Sequence, residues 1–321
     1  MPGITYNFFD LVDLANTREL WVKKLIELAA VHKNIFLLAS DAQVPGNTIC
    51  EFRDLYPDRF VDVGIAEPNL VGIAAGLALD GNITYAQAFG PFLSTRATDQ
   101  IHTDVAYNDV PVRLIGTHGG LTSGGGPTHN AILDFAIMRG IPNMTMVAPS
   151  DTNQCLRLIE ASVTYPGPMY IRIPRGAEPL VYANQDYDFK IGKAVLAKEG
   201  SDATVIATGS AVFNSLKAAQ ELETEGIKVR VLDMHTIKPL DNEAVLKAAR
   251  ETGIIVTVED HNIMGGLGSA VADTVLESGV PCKFKRLGVP DVFAAFGEAK
   301  DLYAHYGYDS EGIKKQIKSM L

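Results

Sequence analysis

Apolar and polar positions along this chain alternate in blocks, with no single period running throughout. Short aliphatic and β-branched runs, NIFLLAS (34–40), RFVDVGI (59–65), VPVRLIGT (110–117), TMVAPS (145–150) and PMYIRIP (168–174), read as strands buried on both faces. Helical stretches separate them, which is the rhythm of an α/β fold. The periodicity fades over RGAEPLVYANQDYDFKIGK, where Pro, Gly and Asn accumulate as in a linker. Alternation then resumes with DATVIATGS, a helix through AVFNSLKAAQELETEG, the run IKVRVLDMHTIKP, a helix NEAVLKAARETG, the strand IIVTVEDH and a helix GSAVADTVLESG. The pattern predicts two open-sheet domains, residues 1–190 and 191–321.

Composition narrows the function classes. With 321 residues and 47% apolar side chains the chain can bury a large core. A net charge of -10 argues against nucleic acid or an anionic membrane as partner, so an anionic substrate needs a few local cations. The N-terminus has no basic flank and apolar core, and no apolar run is long enough for a bilayer, so a cytoplasmic protein is expected. Cys50, Cys155 and Cys282 lack metal-type or disulfide-type spacing, and no metal ligand set is expected in this chain.

Three segments carry candidate chemistry. In VDVGIAEPNLVGIAAGLALDG (61–81) a strand leads into a helix with Pro68 in its first turn, which puts Glu67 at the junction. A glutamate there is also favoured by the helix dipole alone. The helix is apolar nearly all round and rich in Gly and Ala, so a second element can approach its backbone. In TYAQAFGPF, Phe89 and Phe92 stand three apart across an expected irregular Gly-Pro turn, either as core residues or as a grip on a flat heteroaromatic ligand. In GTHGGLTSGGGPTH, His118 and His129 bracket a glycine-rich loop, where imidazoles are either structural or exchange protons with sugar oxygens. The loop contains no G-K-[ST], and no G-x-G-x-x-G follows a strand.

Taken in order, IAEPNLVGIAAGLA, the Phe89/Phe92 turn, RATDQI, GTHGGLTSGGGPTH, IPNMTMVAPSD and YIRIPRG resemble the pyrimidine-binding domain of the transketolase family. VIATGS, LDMHTIKPLD and VEDHNIMGGLGSAVAD resemble its C-terminal domain. The resemblance implies that Glu67 hydrogen-bonds N1′ of the aminopyrimidine of thiamine diphosphate, and that Phe89 and Phe92 pack on that ring. It places Asp41 near the cofactor, His118 and His129 on substrate hydroxyls, and Arg18 and Arg175 on a terminal phosphate. For each arginine the alternative is a surface ion pair. The implied reaction moves a two-carbon ketol unit from a ketose phosphate or analogue to an aldose.

The family's diphosphate-binding domain, with its GDG magnesium motif, has no counterpart here. The expectation is therefore an N-terminal transketolase partner subunit that holds Mg²⁺ and the diphosphate, in an α₂β₂ assembly. Three segments depart from the family pattern. Gly125 replaces an acidic residue that reads a sugar hydroxyl, Pro45 and Gly46 stand where a phosphate-site serine is usual, and Thr98 stands where related split chains carry tyrosine. These point away from ordinary pentose phosphates and toward a branched, deoxy or sulfonated ketose. Rival readings are 1-deoxyxylulose-5-phosphate synthase, the β subunit of a 2-oxoacid dehydrogenase, and a non-catalytic regulatory or scaffolding subunit that has kept the fold.

Overall fold

The structure is a computed structural model that describes residues 14–42, 47–121, 125–182 and 187–321. The first half supplies β1 (Leu14–Asn16), β2 (Ile35–Ala39), β3 (Phe60–Asp62), β4 (Ile83–Phe89), β5 (Val112–Thr117), β6 (Thr145–Val147), β7 (Met169–Arg172) and β8 (Ala177–Pro179). The second supplies β9 (Val195–Lys198), β10 (Ala203–Ala207), β11 (Val229–Asp233), β12 (Thr236–Lys238), β13 (Ile254–Asn262) and β14 (Lys283–Val289). Two α/β sheets result, as the alternation predicts. One has seven strands in the order β12-β6-β7-β5-β4-β2-β3, and the other five in the order β14-β13-β10-β11-β9. Within each, neighbouring strands are parallel except at the edges, where β12 and β9 run antiparallel to β6 and β11. β1 and β8 form a separate antiparallel pair.

The run IKVRVLDMHTIKP does not make one strand. It breaks after Asp233, where the Met234 N–H bonds Ala207 O while His235 O accepts from the Ala148 N–H. The chain thereby leaves one sheet and enters the other, and β12 closes the edge beside β6.

Helices cover both faces of the larger sheet. On one side α1 (Thr17–Val31), α2 (Thr48–Leu55) and α7 (Thr152–Ser162) bury Trp21, Leu25, Phe52 and Leu158 against Ile35, Leu37 and Ile171. On the other lie α3 (Glu67–Leu79), α4 (Gly90–Arg96), α5 (Thr98–Gln100) with a π-helical turn after it, and α6 (Asp134–Gly140). Helix α7 is capped by the Asp151 carboxylate, which accepts the Gln154 N–H at 2.7 Å. The core around α3 is continuous with that of the second sheet: Leu70, Leu114, Phe135 and Met146 share one apolar cluster with Ile206, Val245 and Leu267. The second sheet carries α8 (Ala211–Glu223), α9 (Asn242–Thr252), α10 (Leu267–Ser278), α11 (Ala299–Tyr306) and α12 (Ser310–Met320). Among the described residues no helix is long and apolar enough to cross a membrane.

Helix α3 has two unlike faces. Leu70, Val71, Ala74, Ala75 and Ala78 are buried in the core, whereas Leu79 is 65% exposed and a side chain added at Gly76 would meet open space. The uncovered side is still apolar, with Ile73 and Leu77 only partly buried. That is an unfinished packing surface next to the residue that opens the helix, Glu67.

Candidate functional site

In a parallel sheet, ligands bind outside the carboxyl ends of the strands, where helix N-termini and loops converge. Four adjacent strands deliver candidate residues to that edge. Asp41 follows β2, Glu67 follows β3, Phe89 ends β4 and His118 follows β5. The chain runs from β2 outward to β3 and then crosses back to β4, so Asp41 and Phe89 flank the point where strand order reverses.

Glu67 is the first residue of α3, with Pro68 beside it, as the sequence predicts. Its side chain is buried, and both carboxylate oxygens accept from Arg96 Nη1 at 3.3 Å. Arg96 is itself half exposed and lies over the Phe92 ring, 4.0 Å from the centroid. Arg96 sits within the RATDQI segment, but sequence reasoning gave it no role. A cation 29 residues further along the chain becomes the partner of this glutamate only once α3 and α4 are packed.

The expected irregular turn between Phe89 and Phe92 is not there. β4 runs straight into α4, because Gly90 fits closely against Thr117 O and the Ala131 Cβ, each 3.1 Å from where its own Cβ would lie. Proline at the next position suits a helix start. The two rings lie 6.0 Å apart and nearly parallel, at 22°. Phe89, 36% exposed, also packs against the His118 imidazole at 3.9 Å with the rings tilted by 38°, and Phe92 meets His129 edge-on at 5.0 Å. Two phenylalanines and two histidines thus make one continuous patch, although the four come from β4, α4 and both ends of the glycine-rich loop.

His118 adopts a left-handed backbone conformation, φ 61°, uncommon for a residue with a side chain. Its ring is buried, and Nδ1 lies 3.1 Å from the Thr117 hydroxyl. Burial, then the positive charges of Arg18 and Arg175 and the ring of His129, push its pKa down to about 4. The imidazole is therefore neutral near pH 7 and can both donate and accept hydrogen bonds. The same interactions show that the field of Arg18 and Arg175 reaches His118: Arg18 lies in the first turn of α1, and Arg175 follows β7.

Asp41 also has a positive φ, 51°, and an exposed side chain. Its backbone N–H donates to Asp62 Oδ1 at 3.1 Å, and the same oxygen accepts the Gly64 N–H at 2.8 Å. Asp62, which the sequence did not single out, thus ties the ends of β2 and β3 together. Gly125 lies within the histidine loop, where an added Cβ would stand 2.6 Å from the His129 Cβ. Thr98 turns its hydroxyl onto the Ser94 carbonyl of the preceding helix. Pro45 and Gly46 lie outside the described residues.

The arrangement suits one end of a heteroaromatic cofactor. It offers a buried carboxylate at a helix start and, beside it, a partly exposed aromatic surface flanked by neutral hydrogen-bonding imidazole. Among the described residues no group of three or more His, Cys, Asp or Glu side chains could hold a metal ion. The residues gathered at this edge fit an aminopyrimidine ring. Among the described residues a cavity of about 490 Å³ opens beside Phe92 and Arg96 and reaches Asn262, Asp291 and Phe293 of the second half.

Comparison with known proteins points the same way. Residues 14–179 match the family model of the transketolase pyrimidine binding domain, and residues 192–313 that of the transketolase C-terminal domain. The chain is 41% identical over 299 residues to an apulose-4-phosphate transketolase subunit of Phocaeicola vulgatus, covering 93% of this chain and 95% of that one. It is 39% identical over 298 residues to the 6-deoxy-6-sulfo-D-fructose transketolase subunit of a Clostridium species, covering 92% and 91%. A solved structure described as a split gene transketolase, inactive beta4 tetramer, superimposes with a TM-score of 0.86 at 37% identity, covering 94% of this chain and 97% of that one. With both domains matched along nearly its whole length, and Glu67, the aromatic pair and the histidine loop gathered at one sheet edge, the chain belongs to the transketolase family.

Proposed function

We propose that this chain is the pyrimidine-binding half of a split, thiamine-diphosphate-dependent transketolase, completed by a partner subunit that holds Mg²⁺ and the diphosphate in an α₂β₂ assembly. The observation that carries the reading is the convergence of Glu67, Phe89, Phe92, His118 and His129 at the carboxyl ends of neighbouring strands. When bound, thiamine diphosphate supplies the carbanion chemistry that breaks and makes the carbon–carbon bond.

The chain's own residues hold and steer. Glu67 donates or accepts a proton at N1′ of the aminopyrimidine, and Phe89 and Phe92 set the plane of that ring. His118, neutral and shielded, hydrogen-bonds sugar hydroxyls, and His129 does the same from the other end of the loop. Arg18 and Arg175 answer the terminal anion of the sugar, and Asp41 lies on the cofactor side of the cleft. The open apolar face of α3 gives the partner subunit a surface to cover. On this reading the family domains divide near residue 190, in a cytoplasmic enzyme.

For the donor we propose a branched or sulfonated ketose rather than an ordinary pentose phosphate. Gly125 puts no carboxylate beside His129, and the two relatives above are named for apulose 4-phosphate and for a sulfofructose. The test is two-carbon transfer by this chain reconstituted with a chain that carries the diphosphate-binding domain, over a panel of donor ketoses. Turnover by this chain alone would remove the partner from the scheme. Xylulose 5-phosphate emerging as clearly the best donor would overturn the substrate assignment.

A further inference from the structure

Asp260 lies in β13 of the second sheet, far in sequence from the histidine loop, and its carboxylate is buried against that loop's base. Its two oxygens accept the Leu121 N–H at 3.0 and 3.1 Å, so the donor is shared evenly between them. Tyr308 donates its hydroxyl to Oδ1 at 3.0 Å, and Tyr303 to Oδ2 at 2.9 Å. Three donors therefore converge on one carboxylate, two from the C-terminal helical region and one from the loop.

The loop's two limbs meet at the same place. Gly120 and Ala131 exchange N–H···O bonds of 3.1 Å each, closing the stretch between them. On the far limb, Arg172 donates to Ala131 O and pairs with Asp134, its Nε 3.1 Å from Oδ2. The fit is close: a Cβ on Gly120 would fall on the Asp260 carboxylate, and one on Gly119 would strike the Arg172 side chain at 2.6 Å. Gly120 also has φ +75°, a conformation that glycine takes without strain. His118 stands three residues before Leu121, and His129 two residues before Ala131.

We propose that Asp260 is a positioning residue: the C-terminal domain, through this carboxylate, fixes the base of the glycine-rich loop and so sets where His118 and His129 meet the sugar. The inference rests on the reading of those histidines as substrate contacts. Asp260 itself touches neither sugar nor cofactor. Each of its oxygens accepts one tyrosine hydroxyl and a share of the Leu121 N–H, so an amide at the site would turn its NH₂ toward a donor and lose part of the set.

The experiment uses the reconstituted two-chain complex and compares Asp260→Ala, Asp260→Asn and His118→Ala. The expected result for Asp260→Ala is a donor KM raised about tenfold or more with the thiamine diphosphate dissociation constant unchanged. Amide hydrogen exchange should rise in peptides covering 118–121 and stay at parent level in those from β5. Asp260→Asn, which keeps the volume, should show the same pattern at about a third of the effect and serves alone should the alanine variant not fold. A raised KM for His118→Ala with an unchanged KM for the folded Asp260 variant would overturn the positioning role alone. An unchanged KM for His118→Ala would overturn the reading beneath it. Parallel losses in cofactor affinity and β5 protection in an Asp260 variant would reduce Asp260 to a structural residue and overturn the proposal.

Discussion

Replacing Glu67 by glutamine separates the two things this carboxylate does, because the folded chain asks little of it. Its described hydrogen bonds are the two long contacts with Arg96 Nη1, both 3.3 Å, beyond the range of strong charge-assisted bonds. Arg96 is 47% exposed, so solvent screens the pair, and an ion pair of that kind is worth under about 1 kcal/mol. Glutamine keeps the shape and one acceptor oxygen. The expected loss of stability is thus at most about 1 kcal/mol, a shift of roughly 2 °C in melting temperature. Activity should respond on another scale. A positioned proton-transfer group contributes about 10²–10⁴-fold, equivalent to about 3–5 kcal/mol in the barrier. The assay is ketol transfer by the reconstituted pair at saturating cofactor, with deuterium exchange at thiazolium C2 followed by proton NMR. Exchange and turnover within threefold of the parent, with the cofactor bound, would refute the assignment of Glu67.

Three further expectations follow from particular side chains. The His118 ring, held near pKa 4, takes up fewer protons than the unfolded chain between about pH 4 and 6.5, so it stays neutral through the physiological range and its contribution to stability is lost as pH falls through that window; ring ¹⁵N shifts should show no titration above pH 5, and a midpoint near 6.5 would contradict it. Gly125→Ala must displace His129 from a Cβ contact of 2.6 Å, and overpacking of about 1.4 kcal/mol transmitted to the sugar lowers kcat/KM about tenfold with little change in melting temperature; unchanged steady-state kinetics would count against any role of the loop in donor placement. Burial raises the pKa of Asp233 to about 6 from its usual 3.8, so the native state keeps a proton that the unfolded chain has released, and stability falls by roughly 3 kcal/mol as pH rises through that interval. Asp233→Asn should therefore gain stability relative to the parent between about pH 4.5 and 7 in urea titrations, and a constant difference at both pH values would rule out the raised pKa.

The residues now gathered at the sheet edge were legible where chemistry lies in contiguous motifs. IAEP places Glu67 at a helix start, and THGG and GPTH mark the limbs of one loop, so spacing alone constrains their positions. Other features depend on contacts that no local pattern encodes. Asp260 and Leu121 are distant in sequence, and so are Arg172 and Ala131; the first pair meets only because the two sheets share a core, and the second only because β7 lies beside the loop. The strand β14 escaped notice because Lys283 and Lys285 point outward along an edge, giving the run a charged look that protects edges from unwanted pairing. The run IKVRVLDMHTIKP carries no mark of its break before TIKP, since β-branched residues announce a strand and not the sheet it will join.

That last strand has a bearing on synthesis order. During translation β6 emerges long before Thr236–Lys238, so the larger sheet is made with one flank bare and waits for a segment from the other half of the protein. A fragment ending near residue 190 would keep that bare flank, with the backbone groups of Thr145–Val147 open to any passing strand, and would be prone to self-association. The two halves, though each has its own sheet, thus share a strand, and a gene cut between them would separate it from the sheet it finishes.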